Sequence, residues 1–102
     1  MAKDRKRELL LAADVLLVVR RSSTHPVEYA IVLLVARGGT WHVARTFDNA
    51  HSPEEHHEHR YVGYEKQPPI VTHGRINEAM HEVEVKLRGG WPDIVRSWDT
   101  SR

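Results

Sequence analysis

Histidines are concentrated between Thr46 and Tyr64, a stretch that holds four of the eight in the chain. They are His51, His56, His57 and His59. An acid and amide pair, Asp48-Asn49, precedes them. Imidazole and carboxylate groups transfer protons or bind metal ions near neutral pH. If this chain carries out chemistry, we expect it in this stretch.

One use of these side chains is a metal site. His57 and His59 are two residues apart, and residues with this spacing share a face of a strand. Zinc usually takes roughly three or four protein ligands, and His51, Asp48 or Glu58 could complete such a set. The chain has no cysteine, which excludes disulfides, thiol nucleophiles and thiolate ligands. Zinc or another divalent metal on the histidines is therefore one alternative.

A second use is acid–base catalysis without any cofactor. A neutral His can accept the proton of a ribose 2′-hydroxyl while a protonated His donates one to the leaving 5′-oxygen, because free imidazole titrates at about pH 6.5. Strand alternation selects His57 and His59 as the pair, on one face with Tyr61. Arg60 or Arg45 could bind a phosphate, and Tyr61 could stack on a base or donate a hydrogen bond.

A third interpretation assigns no chemistry to the stretch. Its glutamates balance Arg60, and charged side chains commonly keep an exposed edge strand from pairing with another sheet. Asp48-Asn49 would then only end a strand at a turn.

The overall composition limits the class of protein. The chain has 102 residues with 15 basic and 14 acidic side chains, so we predict a single domain over residues 1–102 and no strong overall charge. The basic groups at Lys3–Arg7 and Arg20-Arg21 are interpreted as a solvated end and a solvated turn. The apolar run Leu9–Val19 is too short to cross a bilayer. We expect a cytoplasmic protein without membrane contact.

The clearest predicted element is a hairpin. Two β-rich segments flank Gly38-Gly39, a dipeptide that can take the positive φ angles of a two-residue turn. The predicted strands are Val27–Arg37 and Thr40–Asp48. An uninterrupted register pairs Ala30 with Phe47 and places Phe47 on the face of Trp41. Strict alternation then sends Asp48 to the opposite face.

Other segments suggest further strands. Most of Leu10–Arg20 is predicted to be one strand, with a first helical turn at Leu9–Ala13 as the alternative. His56–Tyr64 alternates as a strand does, and Ile70-Val71 could add a short last one. The predicted fold class is α+β, an antiparallel sheet of about four strands with a C-terminal helix packed on one face.

The last third of the chain is predicted to be helical, because apolar residues recur there at steps of three and four. They are Ile76, Met80, Val83 and Leu87, continued by Trp91, Ile94 and Trp98. Gly89-Gly90 and Pro92 are expected to break this helix, since proline removes a donor and clashes one turn back. We therefore predict a kink or a short second helix that Pro92 opens.

Two motifs support a family resemblance. The segments Phe47-Asp48-Asn49-Ala50-His51 and His56-His57-Glu58-His59 resemble the small TumE-like toxins of toxin–antitoxin modules. That group combines an aromatic-Asp-Asn-Ala segment, a His-His-x-His cluster and a C-terminal helix. The similarity covers about Thr40–Leu87. The chain departs from the group at Phe47, where Tyr is more usual, and in its Gly89-Gly90-Trp91-Pro92 ending.

The resemblance implies a cytoplasmic toxin that acts on RNA and is kept inactive by a cognate antitoxin protein. The motif positions are Asp48, Asn49, His57 and His59, with His51 and His56 beside them. In this interpretation His57 and His59 form the acid–base pair of a metal-independent ribonuclease. Asp48 orients an imidazole or binds a metal, and Asn49 holds the loop.

Two other functions remain alternatives at the level of sequence. One is a non-catalytic interaction protein, in which a second apolar face of the sheet docks a partner or another copy of the chain as a homo-oligomer. The other is a metal-dependent hydrolase that uses the His and Asp side chains.

Overall fold

The computed structural model describes residues 5–23 and 27–102, so Lys3 of the predicted basic end lies outside the described residues. Within them, an antiparallel sheet precedes a long helix. The elements are β1 (Arg5–Ala12), β2 (Val15–Arg21), β3 (Tyr29–Arg37), β4 (Thr40–Ser52), β5 (Glu55–Val62), β6 (Glu65–Lys66), β7 (Ile70–His73) and α1 (Ile76–Ser101). The strands β1 to β6 lie in sequence order, and β7 pairs with β5. The predicted α+β class is confirmed, but the sheet has seven strands instead of about four.

The predicted Leu10–Arg20 strand is two strands joined by a turn, and the alternative helical turn does not form. The turn at Ala13-Asp14 contains no Gly or Pro, and a single Asp is a weak turn signal. Contacts with β3 hold it instead. The Asp14 carbonyl accepts a hydrogen bond from the Ala36 amide at 2.9 Å. The Arg37 guanidinium donates to the Asp14 carboxylate at 2.7 Å.

The hairpin at Gly38-Gly39 forms as predicted, with φ angles of 61° and 79°. Its register is also as predicted from the turn to Leu34, which pairs with Val43. A bulge then places Leu33 opposite Arg45. One extra residue in a strand reverses the face of every side chain beyond it.

The bulge corrects the predicted faces of β4. Phe47 pairs with Ile31, not with Ala30 as predicted, and it lies on the buried face of the sheet. Asp48 pairs with Ala30 on the other face, which is the face of Trp41. Phe47 and Asp48 still point to opposite sides, as alternation requires.

Helix α1 covers one face of the sheet and shares a hydrophobic core with it. From the helix, the buried residues are Met80, Leu87, Ile94, Val95 and Trp98. From the sheet, they include Val15, Leu17, Val19, Tyr29, Ile31, Leu33, Val35, Ala44 and Phe47. The predicted apolar stripe of the helix is therefore the one that packs. The Trp98 indole N–H also donates to the Gly63 carbonyl at 2.8 Å.

The predicted break at Pro92 is wrong, because α1 runs through this residue. Pro92 is exposed, while Leu87 before it and Ile94 and Trp98 after it are buried on the sheet. Burying each large apolar side chain contributes about 1.5 to 3 kcal/mol. Packing on both sides thus offsets the roughly 3 kcal/mol that an internal proline costs a helix.

The opposite face of the sheet, called the open face below, carries no helix in the described part of the chain. Its central side chains are Leu10, Leu16, Val18, Val32, Leu34, Trp41 and Val43. Leu10 and Trp41 are exposed. Among the described residues, no helix has the length and apolar character needed to cross a membrane.

Candidate functional site

Strands β4 and β5 place Asp48 and His57 directly opposite each other. Oδ1 of Asp48 lies 3.4 Å from Nδ1 of His57. His59 follows His57 on the same face, and the two ring centroids are 6.4 Å apart. Asp48 and both histidines therefore share the open face, a relationship that the sequence pattern did not decide.

His57 contacts a second carboxylate. Its Nε2 lies 2.9 Å from Oε1 of Glu55, so each ring nitrogen faces an acidic side chain. Only a doubly protonated imidazole can donate to both carboxylates at once. The His57 side chain is 5% exposed and that of Glu55 is 37% exposed, so the carboxylate is the more accessible of the two groups.

His59 has a different environment. Its Nδ1 lies 2.9 Å from the backbone carbonyl oxygen of Gln67. A carbonyl oxygen only accepts, so Nδ1 carries the proton and Nε2 of the neutral ring is an acceptor. Thr46 is opposite His59, and its buried hydroxyl has no hydrogen-bond partner among the described residues.

His56 lies on the face that α1 covers, away from this pair, and is buried. The Tyr29 hydroxyl lies 2.7 Å from its Nδ1, and its Nε2 lies 2.8 Å from the Gly74 carbonyl oxygen. Because a carbonyl oxygen can only accept, Nε2 donates to Gly74, and Nδ1 of the neutral ring accepts from the Tyr29 hydroxyl. The ring thus joins β3 to the segment that precedes α1.

Asn49 is also buried on that side, at 2% exposure. Its Oδ1 accepts from the Tyr29 amide at 2.8 Å. Its Nδ2 donates to the carbonyls of Val27 at 2.9 Å and Pro53 at 3.2 Å. The side chain ties the start of β3 to the β4–β5 turn, and β4 itself continues to Ser52, past its predicted end at Asp48.

The two predicted phosphate-binding arginines are not brought to the histidine pair. Arg45 and Arg60 pair across β4 and β5 on the face of Phe47, where both contact Glu58. Burial lowers the pKa of the Arg45 guanidinium below its ordinary value. The bulge causes this placement, since without it Arg45 would lie on the open face.

The remaining predicted residues are Tyr61 and His51. Tyr61 is half-buried and packs against the hydrophobic core, and it pairs with Lys66 of β6. His51 lies in β4, and its side chain is outside the described set. In the described part of the chain, no group of at least three His, Asp or Glu side chains is arranged to bind a metal ion.

Sequence reasoning missed Glu55 and the Gln67 carbonyl as contacts of the pair. Glu55 had a detectable signal, because it precedes His57 by two residues and so shares its face of β5. Gln67 contributes only backbone, which no side-chain pattern can reveal.

Comparisons of the chain with protein-family models, curated proteins and solved structures found no significant match. A function must therefore be inferred from the residues of this chain.

Proposed function

We propose that the chain is the toxin of a toxin–antitoxin module and acts as a metal-independent ribonuclease. The observation that carries the proposal is the arrangement on the open face, where His57 lies between Asp48 and Glu55 and beside His59. Two imidazoles held by different partners are what acid–base cleavage of RNA needs. The motif resemblance points to the same function.

The contacts suggest separate roles for the two rings. His59, with its proton on Nδ1, accepts the proton of the ribose 2′-hydroxyl at Nε2. The 2′-oxygen bonds to phosphorus, and the bond from phosphorus to the 5′-oxygen breaks. His57, which can donate from both nitrogens, gives its Nε2 proton to that 5′-oxygen. The products are a 2′,3′-cyclic phosphate and a free 5′-hydroxyl.

Glu55 regulates access in this scheme. Its carboxylate occupies the Nε2 side of His57, where the leaving oxygen must lie. Glu55 follows the Pro53-Glu54 turn and is partly exposed, so its side chain can move into solvent. An RNA phosphate then takes the place of the carboxylate, and one anion exchanges for another next to the ring.

The test is cleavage of RNA by the purified protein with a chelator present. We expect 2′,3′-cyclic phosphate ends, and no cleavage of the matching DNA. His57→Ala and His59→Ala should each lower the rate by about 100-fold or more while the fold is retained. Arg96→Ala is the control, because this basic residue is exposed on α1, where it pairs with Asp93. Full activity of both His57→Ala and His59→Ala would reject the assignment of these two histidines as the catalytic pair.

The toxin interpretation has its own test in cells. Expression of the chain should arrest growth of a bacterial host, and His57→Ala or His59→Ala should relieve the arrest. Co-expression of the reading frame adjacent to the gene should also relieve it, if that frame encodes the cognate antitoxin. If the histidine variants relieve the growth arrest but the adjacent reading frame does not, the result would support the nuclease function and reject the toxin–antitoxin module.

A separate observation supports a second candidate, a non-catalytic interaction protein. The open face exposes apolar side chains, with Leu10 at 65% and Trp41 at 44%. Exposed apolar patches commonly mark surfaces that bind proteins. This function predicts that the chain associates with a partner or with a second copy. Trp41→Ser should weaken the association, and His57→Ala should leave it unchanged. The mass in solution, measured by light scattering, tests the second-copy form.

A further inference from the structure

A row of residues on the open face connects a basic side chain, Arg20, to the histidine pair. Arg20 of β2 pairs with Ala30 of β3, which pairs with Asp48 of β4, which pairs with His57 of β5. These four residues form one row across the open face. Three strand spacings separate its ends, roughly 14 Å at the backbone. Arg20 is exposed.

A concavity of about 350 Å³ lies in the row between Arg20 and Asp48. Ala30 forms part of its lining, and the short side chain leaves room there. Arg21 also lines it, together with the carboxylates of Glu28 and Asp48. In the described part of the chain, neither Arg20 nor Arg21 forms an ion pair. Both guanidiniums can therefore bind an anion at their end of the concavity.

Arg21 connects this concavity to a larger cleft of about 730 Å³, between β1 and the first half of α1. Basic groups outnumber acidic ones in its lining, where Arg5, Arg7 and Arg21 lie with Glu84. Arg7 forms an ion pair with Glu84, which leaves Arg5 and Arg21 for a ligand. Val19 and Met80 line the cleft as well, so it combines cations with an apolar surface.

We propose that a single-stranded RNA follows these two concavities, with its phosphates on Arg5, Arg21 and Arg20 and the scissile phosphate at His57. A positively charged groove that follows the backbone is a common feature of proteins that bind single-stranded nucleic acid. Guanidinium groups bind phosphates through paired hydrogen bonds. The proposal rests on the ribonuclease function, since the path is identified as an RNA path because its second concavity ends at Asp48, directly opposite His57.

Binding can be measured without cleavage. The probe is a fluorescent single-stranded oligonucleotide in which 2′-O-methyl groups replace every 2′-hydroxyl, so that no attack on phosphorus can occur. Fluorescence anisotropy gives its affinity at several salt concentrations. Arg20→Ala and Arg21→Ala should each weaken binding and reduce the slope of log affinity against log salt by about 0.7, the value for one phosphate contact in a single strand. Arg20→Lys should restore part of the loss.

Arg96→Ala is the matched control, because this exposed arginine of α1 pairs with Asp93, three residues before it. An equal loss in the control, or no loss in Arg20→Ala and Arg21→Ala, would overturn the path. Cleavage of unmodified RNA by the same variants separates the two proposals. If Arg20→Ala and Arg21→Ala cleave RNA at the wild-type rate, the path is rejected and the nuclease function is not. Binding that depends on both arginines, without cleavage by the wild type, supports the path and rejects the nuclease.

Discussion

Asp48 lies directly across from His57 in the β4–β5 pair, with Oδ1 3.4 Å from Nδ1 of the ring. Glu55 contacts the other ring nitrogen at 2.9 Å. The two carboxylates differ in position, since they contact different nitrogens of the ring. The proposed mechanism therefore gives them opposite effects on activity. Asp48 supports the proton donor, whereas Glu55 competes with the substrate.

Asp48→Asn removes the charge beside Nδ1 but keeps the shape of the side chain. Because Asp48 acts on the reacting atoms only through His57 in the proposed mechanism, we expect the substitution to lower kcat more than it changes KM. The fall should be smaller than that of His57→Ala. Steady-state RNA cleavage measures both constants, and Asp93→Asn, an exposed site on α1, is the control. A rise in KM at constant kcat would mean that Asp48 binds substrate instead.

Glu55→Gln should act in the opposite direction. The neutral amide competes less well than a carboxylate for Nε2 of His57, so a phosphate should bind more tightly and kcat/KM should rise. The measurement is again steady-state cleavage, together with binding of the non-cleavable oligonucleotide. Glu54→Gln, at the exposed neighbouring position, is the matched control. A loss of activity as large as that of His57→Ala would show that Glu55 is required for catalysis.

Asn49→Ala should destabilise the fold. The substitution removes the acceptor of the buried Tyr29 amide and the donor to two carbonyls. Leaving a buried polar group without a partner costs about 1 to 3 kcal/mol in free energy of unfolding. Urea unfolding followed by circular dichroism measures the loss, with exposed Asn77→Ala as the control. If stability is unchanged but RNA cleavage is lost, Asn49 has a catalytic role in addition to its backbone contacts.

The sequence predicted the parts of the fold that depend on local periodicity. The Gly38-Gly39 turn, the shared face of His57 and His59 and the packed stripe of α1 all follow from repeats of two or of 3.6 residues. The opposite orientation of Phe47 and Asp48 depends only on the alternation of neighbouring residues. It is therefore correct although the predicted register was wrong beyond Leu34.

Features that depend on distant contacts were not predictable. The Ala13-Asp14 turn has no Gly or Pro and is fixed by Arg37 from β3. The bulge between Val43 and Arg45 of β4 has no signature in the sequence, and it moves Arg45 away from the histidines. Pro92 was expected to end the helix, because the packing of residues on both sides of it cannot be weighed from the sequence alone.

Tyr29 gives the fold a dependence on alkaline pH. Burial, and to a smaller extent the charge of Asp48, raises the pKa of the Tyr29 phenol to about 12. Since this folded-state pKa exceeds that of an unfolded tyrosine, about 10, the folded chain holds the proton more tightly. The stabilisation is complete below pH 10 and should be lost as the pH rises from about 10 to about 12.

Tyr29→Phe tests this dependence. The variant lacks the hydroxyl that donates to His56, so near neutral pH it should be less stable than the wild type by about 1 to 3 kcal/mol. It cannot ionise, however, so the difference should shrink above pH 10. Urea unfolding from pH 7 to pH 11.5 follows both proteins, and Tyr64→Phe is the control because that tyrosine is exposed. If the difference in free energy of unfolding between the wild type and Tyr29→Phe stays constant over this pH range, the folded and unfolded states bind the Tyr29 proton equally.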